Sequence, residues 1–185
     1  VSHAGPDAVS GSGVDETTGE AATATTEDLV RLAALVGRRL TDVGATVSTA
    51  ESCTGGLIGH VLTEISGSSA WYLGGVVVYS DELKRQLVDV PAALIVTHGA
   101  VSPEVAQAMA DGAQRSFGTT FAISVTGIAG PTGGTATKPV GLVYVAVAGG
   151  GGCTIARHLW SGDRSANKRE SAHAALRLLL DRLSA

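Results

Sequence analysis

Glu51-Ser52-Cys53-Thr54-Gly55-Gly56 is the first stretch of the chain whose residue types and spacing could do chemistry. A serine between a strand and a helix sits where unpaired backbone N–H groups gather, and such groups can hold an anion or an oxyanion. Glycines there let a substrate approach the backbone closely. Ser52 is thus a candidate nucleophile, with Glu51, Cys53, Thr54, Gly55 and Gly56 as candidate binding residues around it. The same hydroxyls also fit a plain helix N-cap, supplied by Ser52 or Thr54. The segment matches neither the Gly-x-Ser-x-Gly elbow nor the P-loop pattern. Cys53 is a rival nucleophile, although a cysteine on the helix side is more often a small core residue.

A serine hydroxyl is a weak nucleophile until something takes its proton. Tyr79-Ser80-Asp81-Glu82-Leu83-Lys84 offers a lysine five residues after a tyrosine that closes a strand. A desolvated Lys84 could accept the proton, as in serine–lysine hydrolases, while Tyr79 relays it or holds the lysine. The plainer alternative is a solvated lysine beside a strand-end aromatic.

Two further segments suit ligand binding. The glycine-rich run from Ser124 to Thr135, continued by Lys138-Pro139-Val140-Gly141, follows a buried strand, as ligand loops do in open α/β sheets. Its candidate contacts are Thr126, Gly127, Gly133, Gly134 and Lys138; a loop that needs glycines only for its turns is the alternative. Gly162-Asp163-Arg164, with Lys168 and Arg169, puts cations at a helix start against the local dipole preference. Phosphate binding by Arg164 and Lys168 would explain them, and so would a solvated charged face. Four histidines, His60, His98, His158 and His173, form no ligand-like pair, and Cys53 and Cys153 fit no metal spacing. Neither a metal nor a cofactor is expected.

The elements that must position these residues follow from periodicity. Leu29, Leu32, Val36, Leu40 and Val43 recur at helical spacing after Glu27 and Asp28, and Gly44 stops that helix. A short strand over 46–49 leads into the Ser52 segment, and a second helix runs to about residue 65. Residues 72–79 read as a strand whose apolar centre, Val76-Val77-Val78, suits burial on both faces. A short helix over 82–87 precedes Pro91, and Ser102-Pro103 opens another that runs to about 115. Residues 121–125 form a buried strand. Strands over 140–148 and 153–160 pair antiparallel across the four-glycine turn 149–152. A final helix spans about 164–183. Helices alternating with buried strands predict a three-layer α/β/α sandwich on a mixed, mostly parallel sheet.

Composition closes off other classes. The 185 residues are 44% hydrophobic and 16% charged, enough apolar material for one full domain. A net charge of −4 without a Lys/Arg cluster leaves no footprint for nucleic acid. No apolar run reaches the roughly 18 residues of a membrane span. The start lacks the pattern of a secretion signal, so a cytoplasmic protein is expected. Residues 1–24 have almost no large apolar side chain and read as a disordered tail ahead of a domain over 25–185.

Taken together, Ala50–Gly56, Gly74–Lys84, His98–Ser102, Val125–Gly134, Lys138–Val145 and Gly162–Arg164 resemble, in order, the C-terminal domain of the CinA (competence/damage-inducible) family. The likeness runs from about Leu29 to Leu183, without the N-terminal domain of longer members, so the chain resembles the stand-alone form. Characterised members include nicotinamide-mononucleotide deamidase. The resemblance therefore implies hydrolysis of the nicotinamide amide in pyridine nucleotide salvage, by a serine nucleophile served by a lysine and a tyrosine. Those roles fall on Ser52, Lys84 and Tyr79, with Thr126 and the glycine-rich loop in the pocket. It also implies a pyridine nucleotide substrate and a homo-oligomer. Two positions depart from the family pattern: Asp81 stands where Asn is common, and Lys168 where Arg is. An aspartate beside Lys84 favours its charged form, and Lys cannot replace Arg at a bidentate phosphate contact.

Overall fold

The computed structural model describes residues 23–184. The tail expected over 1–24 lies outside them except for Thr23 and Ala24. Ala24 N donates to Glu170 Oε1 at 2.7 Å, and Arg169 Nε donates to Ala24 O at 3.0 Å. Thr25, next in the chain, caps the first helix.

That helix, α1 (Thr26–Asp42), opens with a capping box: Asp28 N donates to Thr25 Oγ1, and Thr25 N to the Asp28 carboxylate. It buries Leu29, Leu32, Ala33, Val36 and Leu40. Next come β1 (Val47–Glu51), α2 (Leu57–Thr63), a short 3-10 turn (Ser68–Ala70) and β2 (Tyr72–Val77). Three helices follow, α3 (Asp81–Val88), α4 (Ala92–His98) and α5 (Pro103–Phe117). The chain ends in β3 (Phe121–Gly127), β4 (Leu142–Gly149), β5 (Gly152–Leu159) and α6 (Arg164–Leu183).

The five strands form one sheet in the order β2-β1-β3-β4-β5. β1 pairs parallel with β2 and β3, whereas β4 pairs antiparallel with β3 and β5, so only β4 runs against the other strands. The mixed sheet is flanked by α1, α2 and α6 on one face and α3, α4 and α5 on the other. Alternation along the strands serves both layers. Val47, Ile123, Val125, Val143, Val145 and Val147 meet the α1/α6 side. Ala50 and Ala122 face Met109 and Ala113 of α5, and Ala146 and Ala148 face Ala106 and Ala110. Small residues on that face let α5 lie close to the sheet.

Two readings of the sequence change. β2 was expected to be covered on both faces, yet it is an edge strand whose residues alternate between half-buried and exposed, with Val77 45% exposed. α2 reaches one of its faces and α5, through Phe117 beside Gly74, the other, and neither covers it fully. Residues 92–98 form a helix that periodicity did not announce. α4 has no buried residue and no side-chain cap, and Ile95-Val96-Thr97 is β-branched, so no apolar stripe marks it.

The topology creates one natural crevice. From the end of β1 the chain turns to β2 on one side, and from the end of β3 it turns to β4 on the other. Such a divergence outside the carboxyl ends of strands is where open α/β sheets bind ligands.

Candidate active site

Ser52 is the first residue beyond β1. Its N–H donates to Val125 O on β3 at 2.9 Å, while Val78 N donates to Glu51 O at 2.8 Å, so the strand end is gripped from both neighbours. The turn that follows needs glycine twice, because Gly55 and Gly56 have φ of 64° and 93°. Gly55 N donates to Ser52 O. Among the described residues, the N–H groups of Cys53 and Thr54 donate to no other residue.

Glu51 was expected among the binding residues. Instead its carboxylate is 1% exposed and turned under the start of α2. Oε2 accepts from Gly56 N at 3.0 Å and Ile58 N at 3.1 Å, and Oε1 from Gly59 N at 2.8 Å. These are the helix-start donors a substrate would otherwise find. Cys53 is 5% exposed, and burial above all pushes its thiol up to about 12, with the Glu51 charge adding to the shift. The thiol stays protonated near neutrality, which removes it as a rival nucleophile.

Lys84 sits on α3, whose N-cap Ser80 Oγ accepts from Leu83 N at 3.2 Å. It is 2% exposed, and its Nζ donates to Val78 O at 3.1 Å and Tyr79 O at 3.5 Å. Asp81 Oδ1 lies 3.8 Å away. Burial lowers the lysine pKa, and Asp81 opposes that shift without cancelling it. The contact with Tyr79 is to its carbonyl, not its phenol, so the expected Tyr79–Lys84 side-chain pair is absent. Tyr79 OH instead accepts from Arg164 Nη2 at 2.8 Å.

Arg164 is the first residue of α6, after the N-cap Asp163. Its Nη1 donates to Gly130 O at 2.9 Å, so the guanidinium joins the β3 loop to Tyr79. Thr126, at the end of β3, is buried and donates to Ala100 O at 2.8 Å.

These side chains enclose a cleft of about 350 Å³. Ser52, Cys53, Tyr79, Lys84, Thr126, Gly127, Gly133 and Arg164 line it, together with Asp81. Thr54, Gly55, Gly56, Gly134, Lys138 and Lys168 do not. Lys138 Nζ donates to His98 O at the end of α4, and Lys168 Nζ stands beside Gly55. Ala100, Val101, Ile128, Ala129, Gly130 and Thr132 complete the lining, and Ala100–Val101 lacked any chemical side chain to announce them. No group of three or more His, Cys, Asp or Glu residues is arranged to hold a metal among the described residues. No helix among them is long and apolar enough to cross a membrane.

Comparison with known proteins agrees with this geometry. A sequence profile of the CinA C-terminal domain matches residues 29–183. A CinA-like protein of Synechococcus sp. is 49% identical over 147 residues, 78% of this chain and 35% of its own length. One from Geotalea uraniireducens is 48% identical over 157 residues, 85% of this chain and 37% of its own. The chain thus spans about a third of the length of these curated relatives. The crystal structure of a competence/damage inducible protein from Agrobacterium tumefaciens superposes with a TM-score of 0.82 at 41% identity, over 85% of this chain and 96% of that one. A CinA superfamily protein from Klebsiella pneumoniae gives 0.82 at 35% identity, over 84% and 98%. With the profile covering nearly all of the described residues, the chain belongs to the CinA C-terminal domain family.

Proposed function

We propose that this domain is an amidohydrolase that converts nicotinamide mononucleotide to nicotinic acid mononucleotide and ammonia. The observation that carries the reading is the meeting of Ser52 with a buried, pKa-lowered Lys84 in one cleft that also holds an arginine. A neutral Lys84 amine has two N–H groups for Val78 O and Tyr79 O, and its lone pair is left to take a proton. Ser52 Oγ then attacks the amide carbon as its proton passes to Lys84. The Cys53 N–H group, at the cleft wall, stabilises the oxyanion. Lys84 returns the proton to the departing ammonia, and water cleaves the resulting serine ester. The pyridinium ring withdraws electrons and activates the carbonyl. Arg164 would leave Gly130 O and Tyr79 OH for the substrate phosphate, a stronger charge-assisted acceptor.

Coupled ammonia release across nicotinamide mononucleotide, nicotinamide and NAD tests the reading. Turnover of the mononucleotide, lost in Ser52→Ala, is expected. A folded protein that binds the mononucleotide and releases no ammonia would instead be a non-catalytic nucleotide-binding module.

A further inference from the structure

Burying a carboxylate is costly unless its oxygens are satisfied. For Glu51 the only hydrogen-bond partners among the described residues are three backbone N–H groups, those of Gly56, Ile58 and Gly59. Ordinary helix caps are short residues at the cap position itself. Here the cap position is Gly56, with no side chain to offer, and the carboxylate arrives from the preceding strand. It therefore closes the whole turn 51–59 into a ring. The ring is tight: a Cβ on Gly59 would come within 2.8 Å of Tyr72 OH. Tyr72 OH in turn lies 2.9 Å from Thr49 Oγ1 on β1.

We infer that Glu51 is the positioning residue of the cleft: its carboxylate ties the start of α2 to the end of β1, and so fixes where Ser52 Oγ and the Cys53 N–H group stand. The inference deepens the amidohydrolase reading and rests on Ser52 being its nucleophile. It explains why a glutamate, which never reaches the cleft, precedes the serine. By taking the Gly56, Ile58 and Gly59 donors, Glu51 leaves the Cys53 N–H group as the site for an oxyanion. Its charge also stands beside Cys53, where it adds to the burial that holds the thiol protonated.

Glu51→Gln in a Cys153→Ser background tests it. Glutamine keeps the length but has one acceptor oxygen, so its amide nitrogen must face a backbone N–H. The expected result is a kcat about ten- to hundredfold lower, as for lost hydrogen bonds to a charged group. KM for nicotinamide mononucleotide should stay within about twofold, since ground-state binding is untouched. Alkylation of Cys53 by iodoacetamide should speed up by about tenfold as the turn loosens and the charge is lost. Wild-type kcat with unchanged Cys53 labelling would overturn the inference, and so would a KM rise that matches the loss in kcat. If the unsubstituted protein releases no ammonia, the amidohydrolase reading fails, while the labelling ratio still decides whether Glu51 holds the turn. If Glu51→Gln does not fold, Gly59→Ala probes the same tie from its other end, and the same split between kcat and KM is expected.

Discussion

Residues 52–56 carry the chain from β1 into α2, whereas residues 128–141 carry it from β3 to β4, and the two connections face each other across the cleft. In the first, Ser52, Cys53 and Thr54 are buried and the backbone is bonded to β3, to Glu51 and to itself. In the second, residues 131–137 are exposed, and the tie to α6 is a pair of side-chain contacts from Arg164 and Asn167 to the backbone. Loops with few buried contacts open at low cost, whereas a buried turn bonded to its neighbours does not. The β1 side is therefore suited to hold reacting groups in place, and the β3 side to adjust around a ligand. Substitutions on the first should act on kcat and those on the second on KM.

The largest effect is expected at Ser52. Ser52→Ala should lower kcat by more than about a thousandfold while the mononucleotide still binds, as measured by calorimetry. Near-normal ammonia release from that variant would mean that the rigid side does not supply the nucleophile.

Lys84→Met comes next, with a loss of about a hundred- to ten-thousandfold for a removed general base. Burial lowers the Lys84 pKa, so the wild-type rate should rise with pH through an inflection below the ordinary lysine value. That limb should vanish in Lys84→Met. Stability carries the same sign. Between the lowered folded value and the ordinary one, the unfolded chain holds a proton that the folded chain has released, so stability rises with pH across that window. A pH-independent wild-type rate would remove the lysine from the chemistry.

The contrast between the two sides also explains what the sequence could reveal. The α6 bounds agree with the reading over 164–183 because Asp163 caps it and its buried leucines keep helical spacing. Ser52, Lys84, Thr126 and Arg164 were legible as polar residues at strand and helix ends, which the topology gathers on one edge. The role of Glu51 was not, because its partners are backbone N–H groups with no side-chain signature. Neither was the tie from Lys138 to a carbonyl 40 residues away. β2 was misread because a run of valines suits a buried strand and an edge strand equally, and only the strand order decides.

Arg164 joins the two sides, so its replacement measures how strongly recognition depends on the exposed one. Arg164→Ala should raise KM for the mononucleotide about ten- to hundredfold and change kcat little, the result of losing a charge-assisted phosphate contact. Nicotinamide riboside, which has no phosphate, should respond far less. Equal losses on both substrates would show that the contacts to Gly130 O and Tyr79 OH support the cleft itself.

The smallest effect is expected at Lys138, which was a candidate binding residue in the sequence. Its Nζ donates to His98 O at the end of α4, a favourable place for a cation because the helix dipole is negative there. Such an interaction contributes about 0.3–1 kcal/mol at low salt. In a domain of this size that corresponds to roughly 1–4 °C in Tm. α4 buries no residue fully, and the tie adds to the half-buried Leu94 and Ile95 and to the contact of His98 with Glu104 that also seat it. Ala100 and Val101 follow α4 directly and line the cleft, with Thr126 bonded to Ala100 O. Lys138→Ala should therefore lower Tm by a small amount that shrinks as salt is added, because screening weakens the wild-type contact. KM should rise less than about threefold on mononucleotide and riboside alike, since the disturbance reaches the cleft through its wall. A tenfold rise confined to the mononucleotide would show that Lys138 swings in to meet the phosphate. The β3 side would then recognise the substrate with its own cation rather than by yielding around Arg164.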